Sequence, residues 1–323
     1  MTQTVRWLLL AFVLLPATAS AQQIFEAVGA RALGMGGAFV AVADDASAVW
    51  WNPAGLLGGS PFGATIEWDR FQIGNRDEAP IPGALQRSSR FGSLGTWPLG
   101  LSYGRTKTTL IADDAAAGLR VQSLQTSYYG VTFLQTLLEG LVIGSTLKYV
   151  RGTAISGPID GATIGEVLDR GADLEADARS AFDLDLGLMA DLHRLRVGWT
   201  IRNLREPEFT SAAGIAMKVE RLSRVGISVL PSDGLTLAMD VDLDTADLPE
   251  GLRRMIALGG ESRLGQRAAV RAGVRWSLEG PRMPVTSAGA SVAISGMWLD
   301  GFYSYGRGGE DRGFGIALRA GGV

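Results

Sequence analysis

The chain has 323 residues, 46% of them hydrophobic and 20% charged, with 44 glycines, one histidine, no cysteine and a formal net charge of −3. This apolar content excludes a disordered chain, and the glycines lack the three-residue period of collagen. The near-neutral charge points to neither nucleic acid nor an anionic membrane surface as partner.

From the N-terminus, Arg6, the nine apolar residues Trp7 to Leu15 and the small-residue site Ala19-Ser20-Ala21 follow the order of a cleavable signal peptide. Residues 1–21 are therefore expected to be removed, leaving a mature chain that begins at Gln22. The apolar core is well short of the roughly 20 residues of a spanning helix, and no later apolar run is long enough to be one. If the chain crosses a bilayer, only a closed β-barrel satisfies its backbone there; a soluble periplasmic protein is the alternative.

The stretch from Gly29 to Leu56 carries the Gly-rich run Gly34-Met35-Gly36-Gly37, the acidic pair Asp44-Asp45 and the triplet Asn52-Pro53-Ala54, closed by Gly55-Leu56. This ordered string resembles the N-terminal region of the FadL/PorV superfamily, and its close spacing is more similar to the PorV/PorQ branch than to the fatty-acid transporters. The resemblance implies an all-β fold: an outer-membrane barrel of 14 antiparallel strands whose N-terminal segment folds inside as a plug or hatch. It divides the chain into a signal peptide (1–21), a plug (22–61) and a transmembrane barrel (62–323). Within the plug, Asp44 or Asp45 is suited to cap a short helix through Trp50-Trp51. Asn52, which precedes a proline, is suited to stop it. Gly34, Gly36 and Gly37 permit tight turns in a crowded lumen.

Alternation with a period of two places strands at roughly 62–71, 90–97, 98–107, 121–136, 140–152, 180–192, 195–204, 221–230, 234–244, 253–263, 267–277, 286–295, 296–306 and 312–320, each end uncertain by ~2–4 residues. The clearest is 182–192, where Phe182, Leu184, Leu186, Leu188, Ala190 and Leu192 face one way and Asp183, Asp185, Gly187, Met189 and Asp191 the other. Segment 212–219 is read as loop. Connections are expected to alternate, long and external after odd strands and short and periplasmic after even ones. The longest, about 153–179, contains helix-compatible residues 166–169 and is expected to be external, folding over the mouth. Trp68, Trp97, Trp199, Trp276, Trp298, Tyr303 and Tyr305 form a candidate interfacial girdle. The Gly321-Gly322-Val323 tail departs from the terminal aromatic common in such barrels.

A two-residue turn at His193-Arg194 sets Asp191 opposite Arg196 and Asp185 opposite Arg202 on the lumen side. Asp240, Asp242, Asp244, Glu261, Arg271 and Arg275 also point inward, predicting an ionic, braced lumen. No enzyme signature survives inspection. Phe39 occupies the last glycine position of a Gly-x-Gly-x-x-Gly loop, and no Gly-x-Ser-x-Gly elbow is present. His193 is the sole histidine, and Asp169, Asp173, Glu175 and Asp177 do not match a Ca²⁺ loop. No catalytic, metal or cofactor site is expected, and no cofactor. The resemblance implies transport of a hydrophobic or amphipathic small molecule across the outer membrane, with membrane lipid around the barrel. The alternatives are a PorV-like accessory whose external loops receive a secreted protein, and a passive envelope scaffold.

Overall fold

A computed structural model of the chain describes residues 25–114, 118–248, 251–280, 284–306 and 311–321. The expected signal peptide, Gln22 and residues 322–323 lie outside them.

Fourteen antiparallel strands close into one barrel. They are β1 (Phe62–Ile73), β2 (Leu85–Thr96), β3 (Leu99–Asp114), β4 (Gly118–Leu138), β5 (Leu141–Pro158), β6 (Arg179–Leu192), β7 (Leu195–Arg202), β8 (Leu222–Ser232), β9 (Leu235–Asp242), β10 (Met255–Leu264), β11 (Ala268–Ser277), β12 (Val285–Ile294), β13 (Met297–Gly306) and β14 (Arg312–Ala320). Pairing of β1 with β14, from Ala64 opposite Ala320 to Gln72 opposite Arg312, shuts the ring and leaves no open sheet edge. The outer face is apolar, with Ile66, Leu101, Leu147, Leu237 and Ile316 exposed. Among the described residues no helix is long and apolar enough to cross a membrane.

All fourteen predicted strands are present, and 212–219 is not part of the barrel. Its residues Ala216–Lys218 pair instead with Glu208–Thr210 in a small hairpin. That hairpin dips into the mouth: Phe209 and Met217 are buried, and the Phe209 ring lies against the backbone of Gly152.

Two expectations need correction. The connection after β3 is not long, because the ladder continues to Asp114 opposite Gly118. Thr108 to Ile111 and Val121 to Leu124 are β-prone and buried on both faces, so they extend the strands instead of looping. Strands β3, β4 and β5 have 16, 21 and 18 residues, well beyond the roughly 10 needed to span the membrane. The second correction concerns the external helix, α3 (Ile164–Asp173), which does not cover the mouth. Ile164, Val167 and Leu168 pack with Ala84, Ile111 and Val121, which lie on the outward face of the extended ladder. A Thr-x-x-Glu start holds its first turn, Thr163 Oγ1 accepting from Glu166 N at 3.3 Å and Glu166 Oε2 accepting from Ala162 N at 2.9 Å.

Residues 25–61 occupy the lumen. Phe25, Phe39, Trp50 and Trp51 from this segment meet Phe71, Phe91, Tyr128 and Phe302 of the wall in one aromatic core. The segment's backbone sits against wall glycines: a Cβ on Gly259 or Gly273 would overlap the backbone of Met35 and Gly36. A Gly273→Val substitution is expected to cost about 1–3 kcal/mol and to expose the N-terminal segment to limited proteolysis while the barrel still shows heat-modifiable gel migration.

Candidate functional site: the plug and the wall that holds it

The plug begins at Phe25 and crosses the lumen through α1 (Ala30–Gly34), a turn at Gly36 and Gly37, and α2 (Ala48–Trp51). Both of those glycines have positive φ, 71° and 91°, a conformation that side chains resist. Ser47, not an aspartate, is the residue that precedes α2. Asp45 nevertheless supports the entry, its Oδ1 accepting from Ser47 N at 2.9 Å. Asp44 points instead to Arg31. Asn52 ends α2 in extended geometry, as its place before Pro53 requires.

The Asn52-Pro53-Ala54 triplet is the point where plug and wall become continuous. Asn52 Nδ2 donates to Val40 O within the plug and to Leu188 O of β6, both at 3.0 Å, while Oδ1 accepts from Ala54 N at 3.2 Å. Pro53 lies over Gly144 and Gly187, and the carbonyl of Ala43 comes so close to Gly55 that a Cβ there would overlap it.

Electrostatically, six side chains close into a ring of alternating charge. Arg31 meets Glu261 of β10 at 2.8 Å, Glu261 meets Arg271 of β11 at 2.5 Å, and Arg271 meets Asp300 of β13 at 3.3 Å. Asp300 meets Arg319 of β14 at 2.6 Å, Arg319 meets Asp45 at 3.3 Å, and Asp45 returns to Arg31 at 2.9 Å. Every member is buried. A second cluster fixes the start of the plug: Glu26 takes Arg224 at 2.7 Å and Arg253 at 3.1 Å, and Arg224 also takes Asp242 at 2.6 Å.

Burial alone would raise the Asp45 carboxyl, but Arg319 and Arg31 more than offset it and hold the group at about 2. Glu26 behaves alike: burial raises it, and Arg224 and Arg253 bring it far below the usual carboxylate range. Burial works against the charge on Arg31, yet Asp44 and Glu261 keep its guanidinium firmly protonated.

Of the two predicted lumen pairs, Asp191–Arg196 forms as expected, at 2.8 Å and partly exposed beside the turn. Asp185 and Arg202 share the predicted register but stand 3.7 Å apart. Lys148 of β5 reaches Asp185 at 2.6 Å, and Arg202 lies 3.4 Å over the Trp50 ring, so the carboxylate has a closer cation and the guanidinium an aromatic face. Sequence reasoning missed Arg31, Asp300, Arg319, Arg224 and Glu26. One signal was available for the first: Arg31 is the only cation between residues 25 and 69. Among the girdle candidates, Trp298 is corrected. It shares its strand face with buried Asp300 and lines a cavity with Arg31 and Asp45, so it points inward.

Beside the triplet, Ala54, Gly55, Leu57, Val142 and Met189 line a cavity of about 370 Å³, with Asp191, His193 and Arg196 as its polar part. It lies at the short-turn end of β4 to β7. No cluster of residues that could hold a metal ion occurs among the described residues.

A family model described as "F plasmid transfer operon, TraF, protein" matches residues 63–242, more than half of the chain. The chain belongs to this TraF family. The match runs from β1 to the end of β9 and leaves out the plug. Solved structures similar to this TraF-family chain include the CymD monoaromatic hydrocarbon channel, at 19% identity over 90% of this chain and 96% of that one with a TM-score of 0.63. The Ralstonia pickettii toluene transporter TbuX matches at 14% identity over 93% and 100%, also with a TM-score of 0.63. A Pseudomonas aeruginosa FadL homologue matches at 11% identity over 91% and 98%, TM-score 0.62. At these identities the likeness establishes the fold: a FadL-like barrel of the outer-membrane type. It gives no support to the PorV/PorQ branch. No curated protein sequence matches the chain.

An Arg31→Gln variant leaves Asp45 and Glu261 buried without their shared cation and is expected to lower stability by about 3–5 kcal/mol, read from the thermal midpoint of heat modifiability. Arg196→Asp, at a half-exposed pair, should cost no more than about 1 kcal/mol. Because the Asp45 carboxyl is depressed, its stabilisation is complete above about pH 4 and is lost as pH falls through about 2. Near-UV circular dichroism from the buried tryptophans of the plug should therefore hold to about pH 4 and decline below it.

Proposed function

We propose that the chain is a non-enzymatic transport component of the outer membrane, exported by the signal peptide at 1–21, whose barrel (62–323) passes hydrophobic or amphipathic molecules under control of the plug (22–61). The observation that carries this reading is the cavity beside Asn52-Pro53-Ala54. Apolar walls from Ala54, Leu57, Val142 and Met189, with charged groups on one side, match a small apolar molecule with a polar end. The hydrocarbon channel and the toluene transporter that share the fold supply the cargo class; the family's description names an operon and no activity.

Gly34, Gly36, Gly37, Asp44, Asp45, Asn52, Pro53, Ala54 and Gly55 are the hatch in this reading. The Asn52 contacts to β6 are the natural point of release, since a few neutral hydrogen bonds hold it where buried ion pairs hold α1. The ladder between β1 and β9 is continuous, so passage requires the hatch to move and not merely the wall to be porous.

Uptake of toluene into proteoliposomes containing the barrel tests the proposal. Met189→Trp, which fills the cavity, is expected to lower the rate several-fold, with Met189→Leu near wild type. Equal rates for Met189→Trp and wild type would overturn it, and a stoichiometric co-purifying protein with no toluene flux would move the assignment to a secretion accessory.

A further inference from the structure

On the outward face of the wall, across β13, β14, β1, β2 and β3, a groove of about 480 Å³ runs between Ile66, Trp68, Tyr103, Leu299, Ile316 and Leu318. Gly92 makes its floor. The lack of a side chain there is not imposed by the fold, for an added Cβ would find only the Thr65 carbonyl oxygen within 4 Å, at 3.8 Å.

At the long-loop end of this groove the surface turns cationic without compensation. Arg90, which lines the groove, lies directly opposite Arg105 in the β2–β3 ladder, and both are exposed. Like charges set opposite in a sheet repel, and a lipid-facing arginine is costly away from the interface. Arg70 and Arg105 bond only neutral carboxamides, Gln86 at 3.1 Å and Gln125 at 2.7 Å. Arg90 has no hydrogen-bond or ion-pair partner among the described residues. Alternate positions from Phe62 to Gln72, Gln86 to Thr96 and Leu99 to Lys107 carry no Asp or Glu on this face. Three neighbouring guanidinium groups above an apolar slot want an anion with more than one negative charge attached to acyl chains.

We propose that this face binds a diphosphorylated, multiply acylated glycolipid of the outer leaflet, with an acyl chain in the groove and its phosphates on Arg70, Arg90 and Arg105. Guanidinium groups suit phosphate because they offer paired donors in a plane, and the phosphates remove the repulsion between Arg90 and Arg105. The site belongs to the exterior of the wall and is independent of any cargo passing through the lumen.

Native mass spectrometry of the intact barrel in detergent, titrated with diphosphoryl lipid A and, in parallel, with dioleoylphosphatidylcholine, tests the assignment. Wild type is expected to retain lipid A in preference to the zwitterionic lipid. Arg90→Gln with Arg105→Gln should weaken lipid A binding about tenfold or more by removing charge-assisted hydrogen bonds, leaving phosphatidylcholine binding unchanged. Gly92→Leu, which fills the groove without touching a charge and has room to fold, should also lose it. Heat-modifiable migration confirms that each variant is a folded barrel. Lipid A held equally by wild type and both variants, or no better than phosphatidylcholine by wild type, overturns the proposal.

Discussion

Three arginines and three carboxylates in a closed ring, with two members on the plug and four on the wall, are what keep the N-terminal segment inside the barrel. Buried as they are, each of these charges would be costly alone, and removal of one exposes its two neighbours to that cost. The ring is therefore cooperative by construction. It pins α1 to β10, β11, β13 and β14, while the Asn52 triplet rests on β5 and β6 through neutral contacts. One side of the plug is thus held by electrostatics and the other by shape.

That asymmetry orders the rest of the interior. Beyond the ring, arginines that face the aromatic core stack on it, Arg202 over Trp50 and Arg224 4.3 Å from the centre of Phe25. The hairpin carrying Phe209 and Met217 buries both side chains at the other end. The lumen is consequently a packed, mixed aromatic and ionic core, and the cavity beside Ala54 and Met189 lies at its short-turn end.

Much of this was legible in the sequence because a barrel wall alternates in and out with a period of two, and Asp183, Asp185 and Asp191 set among leucines carry that period plainly. The Asp191–Arg196 register followed from one two-residue turn. What stayed hidden depends on distance through space. Arg31 reads as an isolated cation in an Ala- and Gly-rich run until Glu261, 230 residues later, is folded beside it. Lys148 displaced Arg202 as the nearest partner of Asp185 for the same reason: it comes from a neighbouring strand that turn geometry at His193 says nothing about. The seat of α3 on the outer face of the wall was not readable either, since its apolar stripe matches Ile111 and Val121 only once β3 and β4 have grown past the membrane.

The wall's glycines carry a consequence for how such a chain can vary. Gly144, Gly198, Gly259 and Gly273 receive plug backbone, so at these points the recess is complementary to the course of the main chain. Substitutions should therefore be distributed unevenly between the two partners. Plug residues that point away from the wall are free to drift, whereas even a methyl group at those wall positions collides with main chain that cannot retreat. The shape of the plug is in effect written in the barrel.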